Sequence, residues 1–193
     1  MKIDKSFIIQ SAIELLQENG IQKLSIRNVA DKLNIKGASL YWHIKNKSEL
    51  LELVSEEICK NIIYPNENDL WETQMIELTS QYREILLKVR DSAYVLIETP
   101  PTTPFRLKLI KKIYELFVQL GMKKEDIFSA SWILNNYVTS FVIEEYRFKE
   151  FNNEKNTSPP IEGLPFDILN MDMDKEFQFG LEVLMAGFKS KVK

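Results

Sequence analysis

Apolar residues recur at every third or fourth position along most of the chain, which is the spacing of amphipathic helices. The first stripe lies in residues 4–20 and ends at Gly20, a usual helix-ending residue. Its members are Ile8, Ala12, Leu15 and Leu16. A shorter stripe lies between Ser25, a favoured helix N-cap, and Asn34, which tolerates a left-handed turn. Its members are Ile26, Val29, Ala30 and Leu33. Two short helices joined by a tight turn are predicted here.

Longer helical patterns occupy the remainder of the chain. They cover residues 47–63, 71 to about 90, 105–121, 125–150 and the C-terminal stretch around 177–188. The prolines of "TPPTTP" at residues 99–104 interrupt the pattern, since proline lacks a backbone donor. The polar, proline-rich residues 152–167 predict a disordered surface loop. We therefore expect an all-α fold.

Length and composition favour a compact protein that does not enter a membrane. The 193 residues include 45% hydrophobic and 27% charged residues, enough for one domain or two small ones. No apolar run approaches the about 18 residues of a membrane span, and the N-terminus lacks the features of a signal peptide. We expect a cytoplasmic protein. The one cysteine, Cys59, lies in an apolar stretch, where a buried thiol is favoured over a reactive one.

The net charge of −3 is unevenly distributed. Residues 1–47 contain eight lysines and arginines against four acidic residues, so the rest of the chain is acidic. A basic N-terminal part is the candidate for contact with a polyanion such as DNA.

The stretch "KGASLYWHIKNKSELL" at residues 36–51 places aromatic rings among lysines. If Leu40 and Ile44 face the core, then Ser39, Tyr41 and His43 face solvent. Trp42 fits either surface or core, and the pattern leaves both open. Hydroxyl, imidazole and ammonium groups on a short helix suit contacts with phosphates and base edges in a major groove.

Residues for catalysis are few. The sequence shows no cluster of Cys and His for zinc, no glycine-rich phosphate loop and no second histidine. The adjacent carboxylates Glu56-Glu57 and Glu144-Glu145 predict solvated surfaces, because neighbouring residues on a helix point in different directions. We expect neither an enzyme nor a bound metal or cofactor.

The segment "SAIELLQENG" followed by "LSIRNVADKLNIKGASLYWHIKNKSELL" resembles the DNA-binding domain of the tetracycline-repressor (TetR) family. The resemblance continues at "YREILLKVRDSA" and "FGLEVLMAGF". It implies a helix-turn-helix DNA-binding domain at residues 1–47 and a larger helical domain at 48–193 that binds ligand and dimerises. Residues 47–63 would form the linking helix.

The resemblance also assigns DNA contacts, with a recognition helix over residues 37–44. Arg27 resembles the family arginine that enters the groove, Ser39 and Tyr41 its hydroxyl contacts, and His43 and Lys47 its phosphate contacts. The complete expected set is Arg27, Lys36, Gly37, Ala38, Ser39, Tyr41, Trp42, His43 and Lys47. Gly37 and Ala38 depart from the tetracycline repressors, which have a longer residue and a proline there. We therefore expect fewer direct base contacts and more dependence on DNA shape.

The same resemblance implies a ligand pocket, with this chain departing from the tetracycline repressors. The tetracycline repressors hold histidines or polar amides at positions that correspond in this chain to Ile63, Leu78, Leu96 and Ile113. Tyr82 replaces a phenylalanine of their pocket. Expected neighbours are Phe105, Leu109, Asn136 and Phe141. These residues either line a pocket for an apolar or aromatic inducer or simply fill the core.

The last helix carries Gly180, Leu184 and Gly187 on one face, flanked by Phe177, Leu181 and Phe188. We expect this face and residues 125–150 to form a four-helix bundle in a homodimer, although packing within one chain is the alternative. The favoured function is a ligand-responsive repressor of a palindromic operator. The alternative is a helical adaptor, or an enzyme, that has kept the fold without DNA binding.

Overall fold

The computed structural model describes residues 4–154, Gly163 and residues 171–192. Within these residues the chain forms nine α-helices, a 3₁₀ turn at Ile21–Lys23 and no strand, which confirms the all-α prediction. The helices are α1 (Lys5–Asn19), α2 (Ile26–Lys32), α3 (Gly37–Leu40), α4 (Lys47–Lys60), α5 (Trp71–Leu87), α6 (Ser92–Glu98), α7 (Pro104–Leu120), α8 (Lys124–Glu154) and α9 (Met173–Ser190).

Helices α1, α2 and α3 form a small N-terminal bundle. The side chain of Asp4 accepts a hydrogen bond from the Phe7 amide at 2.9 Å and so begins α1, while Gly20, with φ of 74°, ends it. Helix α2 packs against both α1 and α3. The predicted apolar stripes of α1 and α2 are buried between these helices, with the exception of Leu33, which is half-buried.

Helix α4 belongs to two groups of helices at once. It packs against α1 on the N-terminal side and against α6 and α7 on the C-terminal side. Its buried face consists of Leu50, Leu51, Val54, Ser55, Ile58 and Cys59. As predicted, Cys59 is buried, and burial raises the pKa of its thiol to about 12. Helix α4 ends at Lys60 rather than at the predicted residue 63.

A sharp corner separates α5 from α6, which the hydrophobic pattern does not predict as a separate helix. Helix α5 ends at Leu87, and Asp91 adopts a left-handed conformation with φ of 56° before α6 begins. The Ser92 hydroxyl donates to the Leu86 carbonyl at 2.5 Å and satisfies one of the terminal carbonyls of α5.

A buried arginine joins α5, α8 and α9. Arg83 of α5 donates from Nε to Glu145 Oε2 of α8 at 2.9 Å, and from Nη1 to Asp174 Oδ1 of α9 at 2.8 Å. Its guanidinium carbon lies 4.8 Å from the ring centroid of Phe177. Glu145 is only 3% exposed, so the prediction that it solvates a surface is wrong. The helical stagger that turns Glu144 outward turns Glu145 inward, toward Arg83.

The predicted loop at residues 152–167 is wrong at its start, because residues 152–154 belong to α8. Apart from Gly163, the rest of that predicted loop lies outside the described residues.

Replacing Glu145 is expected to destabilise the helical body far more than replacing its neighbour. Glu145→Ala leaves Arg83 buried with only the exposed Asp174 as an anionic partner, which costs about 3 kcal/mol of unfolding free energy. Glu144→Ala removes an exposed pair with Arg147 and should leave the unfolding free energy nearly unchanged. Urea unfolding followed by circular dichroism measures both, and equal losses would contradict the role given to Arg83.

Candidate nucleic-acid interface and ligand cavity

The turn between α2 and α3 is fixed by local hydrogen bonds and by one left-handed residue. The Ser25 hydroxyl accepts from the Asn28 amide at 3.1 Å and begins α2. Asn34, with φ of 54°, redirects the chain after α2. Leu40 and Ile44 are fully buried, as the pattern predicts. The residues between them therefore lie at the surface.

Helix α3 is shorter than the predicted recognition helix over residues 37–44. It ends at Leu40, and residues 41–43 form a turn in which the amides of His43 and Ile44 both donate to the Leu40 carbonyl, at 2.9 and 3.0 Å. This tightening leaves Trp42 90% exposed and Tyr41 58% exposed, with His43 half-buried. The core alternative for Trp42 is therefore wrong.

Unpaired cations surround this aromatic turn. Lys36, Lys45 and Lys47 are exposed, and none of them forms a side-chain ion pair with any residue that the structure describes. Ser39 and Ala38 are exposed as well. The surface thus offers free ammonium and hydroxyl groups to an external anion.

Arg27 and Gly37 are also open to an external partner. Arg27 lies in the first turn of α2 with its side chain 89% exposed and its Nε 3.9 Å from Asp31 Oδ2. A Cβ added to Gly37 would meet no atom within 4 Å. The fold therefore does not require glycine at this position, and its absent side chain affects only what contacts the surface.

A reciprocal cap fixes the start of α4 next to the aromatic turn. Asn46 Oδ1 accepts from the Glu49 amide at 2.9 Å, while Glu49 Oε2 accepts from the Lys45 amide at 2.7 Å. The hydrogen bond from Lys45, aided by Lys5 of α1, lowers the pKa of Glu49. The turn, α1 and α4 are thereby held together.

A small cavity lies between α5, α7 and α8. Its lining residues are Leu78, Thr79, Tyr82, Leu109, Ile113, Leu134, Asn135 and Val138. Its volume of about 10 Å³ is roughly what a single water molecule requires. The Tyr82 hydroxyl donates to Asn135 Oδ1 at 3.2 Å, and burial raises the pKa of Tyr82 well above its usual value. Tyr82 therefore remains a neutral donor in an otherwise apolar chamber.

Four of the nine predicted ligand residues line this cavity: Leu78, Tyr82, Leu109 and Ile113. Leu96 is buried in α6, and Phe105 is half-buried at the start of α7, both outside the lining. Phe141 lies next to Arg83, with its ring centroid 5.5 Å from the guanidinium carbon.

Two further predicted pocket residues lie outside this lining. Ile63 is 69% exposed in the connection after α4, because that helix ends before it. Asn136 is exposed, and the adjacent Asn135 faces the cavity instead. Asn135 lies three positions before the buried Val138 and four before the buried Thr139, a same-face spacing visible in the sequence that would have identified it.

Hydrogen bonds connect the cavity helix α7 with α4 and the α5–α6 corner with α1. Both Glu56 carboxylate oxygens of α4 accept from the Phe105 amide in the first turn of α7, at 2.9 and 3.0 Å. Asp91 Oδ2 accepts from the Ile21 amide at 2.8 Å, and the Arg90 amide donates to Gln17 Oε1 at 2.8 Å. Glu56 thus caps a neighbouring helix, which corrects its prediction as a solvated carboxylate.

Helices α8 and α9 expose large apolar side chains. These are Phe128, Trp132 and Ile133 on α8, and Phe179 and Val183 on α9. Gly180 does not belong to this surface, because a Cβ there would lie 2.4 Å from the Tyr137 hydroxyl oxygen of the same chain. For Gly180, the alternative of packing within one chain is therefore correct. Gly187, in contrast, has open space around it.

None of the described helices combines the length and the apolar character that a membrane crossing requires. In the same residues no group of three or more His, Cys, Asp or Glu side chains is placed to hold a metal ion.

Two family profiles together match most of the chain. Residues 8–54 match "Bacterial regulatory proteins, tetR family", and residues 64–192 match "Tetracyclin repressor-like, C-terminal domain".

Individual relatives agree with these profiles over nearly the whole length. The tetracycline repressor protein class G of Vibrio anguillarum is 29% identical, covering 97% of this chain and 94% of its own. A TetR variant from Acinetobacter baumannii AYE, crystallised with minocycline, is 28% identical with a TM-score of 0.80, covering 99% of this chain and 96% of its own. Streptomyces coelicolor ActR, crystallised with (S)-DNPA, is 25% identical with a TM-score of 0.80, covering 98% of each chain.

Proposed function

Because the chain belongs to the tetR family of bacterial regulatory proteins in both of its parts, we propose that it is a ligand-responsive transcriptional repressor. It binds a palindromic DNA operator as a homodimer and is released by a small molecule. The observation that carries this function is the Glu56 contact, because it ties a wall of the cavity to the helix that follows the aromatic turn.

The DNA-binding surface is the aromatic turn with its free cations. Lys36, His43 and Lys47 contact phosphates, together with the hydroxyls of Ser39 and Tyr41. Arg27 reads a base edge, since a guanidinium can donate two hydrogen bonds to guanine. The short side chains at Gly37 and Ala38 and the exposed ring of Trp42 complete the contact surface.

The exposed apolar faces of α8 and α9 are the dimer interface. Two-fold symmetry places the same patch on both partners, so two α8–α9 pairs form a four-helix bundle. The two aromatic turns then lie about 34–36 Å apart, the separation of successive major grooves on one side of DNA. Residues 1–47 thus act as the DNA-binding domain and residues 48–193 as the regulatory domain.

The inducer is an apolar or aromatic compound that enters the cavity between α5, α7 and α8. Six of the eight lining residues, all except Thr79 and Asn135, are hydrophobic or aromatic, and the chain's one histidine, His43, lies in the DNA-binding turn. Tyr82 and Asn135 are the polar anchors that orient the ligand. A drug held through a chelated metal finds no imidazole in this lining.

Ligand entry must change the cavity, because a volume of about 10 Å³ holds no organic molecule. Opening it moves α7, and the Glu56 contact passes that displacement to α4. A ligand that prefers the open state by about 5.5 kcal/mol shifts a dimer from about 99% DNA-competent to about 99% released.

One experiment distinguishes the proposed repressor from the alternative class, an adaptor or enzyme that does not bind DNA. A gel shift with DNA from the protein's own promoter region yields a discrete complex for a regulator and none for the alternative. A regulator of this kind works in the cytoplasm, where the DNA lies.

Two substitutions are expected to weaken DNA binding in different ways. Lys47→Ala should weaken binding to every sequence and reduce the salt slope by about one unit, since one phosphate contact is lost. Arg27→Ala should cost about 1–3 kcal/mol on the operator and little on random DNA. Fluorescence anisotropy over a salt series measures both. Lys124→Ala, at the start of α8, is the control. Equal losses on operator and random DNA for Arg27→Ala would contradict its role as a base reader, and a loss on the operator alone for Lys47→Ala would contradict its phosphate contact.

A charge on the exposed face of α8 is expected to dissociate the dimer. Trp132→Glu places a carboxylate in the proposed bundle, and we expect a monomer by sedimentation velocity at micromolar concentration, with operator binding lost. Trp42→Glu is the matched control, because this likewise exposed tryptophan should affect DNA binding only. A monomeric wild-type protein that still binds its operator would overturn the proposed interface.

The adjacent asparagines provide a matched test of the inducer cavity. Operator complexes are titrated with a panel of apolar compounds and with tetracycline plus magnesium. We expect release by an apolar compound, weakened by Asn135→Ala and abolished by Tyr82→Ala, with Asn136→Ala behaving as wild type. Release by micromolar tetracycline that a chelator abolishes would show that the proposed ligand class is wrong.

A further inference from the structure

A second, larger recess lies on the outer side of α7, against the connection between α4 and α5. Its volume is about 600 Å³, within the range of small-molecule sites. None of the residues that line the small cavity between α5, α7 and α8 lines this groove. Three lysines of α7 face it: Lys108, Lys111 and Lys112.

Lys112 is the unusual member of this set. Its residue is 9% exposed, yet it forms no ion pair or hydrogen bond with any described residue. The carboxylates of Glu67 and Glu115 line the same groove, but neither lies within ion-pair distance of a lysine there. The stem of Lys112 is packed against the protein while its ammonium has no counter-ion among the described residues, so an anion brought into the groove would gain an ion pair with an amine that is already held in place.

Tyr64 supplies a second unsatisfied group at the same place. Its hydroxyl is shielded from solvent and has no hydrogen-bond partner among the described residues. Lys108 Nζ lies 4.1 Å from the centroid of its ring, so an ammonium is held beside it. Burial raises the pKa of Tyr64 to about 12, and the hydroxyl therefore remains a donor at neutral pH.

The remaining walls of the groove suit an apolar body. Pro65, Pro104 and Leu107 line it, and Leu107 is 39% exposed there. Pro104 is the first residue of α7, a helix of 17 residues, so the positive end of its dipole lies at the groove.

We propose that this groove binds a small organic anion, in which one carboxylate or sulfonate meets Lys112 and Lys108 while an aromatic or aliphatic body lies on the prolines and Leu107. This ligand class differs from the neutral inducer of the cavity between α5, α7 and α8. The groove is therefore a separate site, and it does not depend on DNA binding.

The test compares two dyes that share an aromatic body and differ in charge. Anilinonaphthalene sulfonate carries the anion, and neutral phenylnaphthylamine lacks it. Fluorescence titration of the full chain is expected to give one saturable sulfonate site per chain. Lys112→Met, which keeps the aliphatic stem, should weaken binding of the sulfonate dye roughly tenfold and leave binding of the neutral dye unchanged. A tenfold loss corresponds to about one charged hydrogen bond.

Further variants keep the proposal falsifiable if Lys112→Met does not fold. Lys108→Met removes the second ammonium and should weaken binding of the sulfonate dye several-fold, whereas Lys124→Met, outside the groove, should have no effect. Equal affinity for both dyes, or sulfonate binding lost in Tyr82→Ala but retained in the groove variants, would overturn the proposal. Operator binding is measured in a separate experiment. A result that overturns the groove proposal therefore does not bear on the proposed repressor function.

Discussion

The double attachment of α4 is the constraint on which the rest of the molecule depends. One side of this helix completes the N-terminal bundle with α1, and the other lies on α6 and α7. Its start is held by the reciprocal cap of Asn46 and Glu49, and its middle by the bond from the Phe105 amide to Glu56. A helix fixed at both places cannot rotate freely, so a change at α7 must either break a contact or move the aromatic turn.

In the proposed release from DNA, the Arg83 network is the rigid body against which α7 moves. It binds α5, α8 and α9 together through a guanidinium that is paired with Glu145 and stacked near Phe177. Two of those helices, α8 and α9, also carry the exposed apolar faces. The cavity lies between this rigid group and α7, which has no share in the network. The proposed division between a fixed group of helices and a movable α7 therefore follows the ion pairing within a single chain.

Much of this fold follows from local patterns, and the failures have clear physical causes. The stripes of α1 and α2 and the buried pair Leu40 and Ile44 were predictable because each is set by helical periodicity. The partner of Glu145 was not predictable, because Arg83 lies 62 positions earlier and only the folded chain brings the two side chains together. Asn135 and Asn136 differ by one helical step, and a resemblance without exact register does not show which of them lines the cavity, whereas the fold places Asn135 there. The exposure of Ile63 depends on where α4 ends, and the end of a helix is its least predictable feature.

The three tryptophans lie on three different parts of the surface, which makes the protein its own optical sensor. Trp42 projects from the aromatic turn, Trp132 from the outer face of α8, and Trp71 begins α5 with Lys189 Nζ 5.9 Å from the centroid of its ring. Indole emission shifts to shorter wavelength when water is removed from the ring. Variants that retain one tryptophan each would therefore give separate spectral signals for the aromatic turn, the outer α8 face and the junction of α5 with α9, without any attached dye.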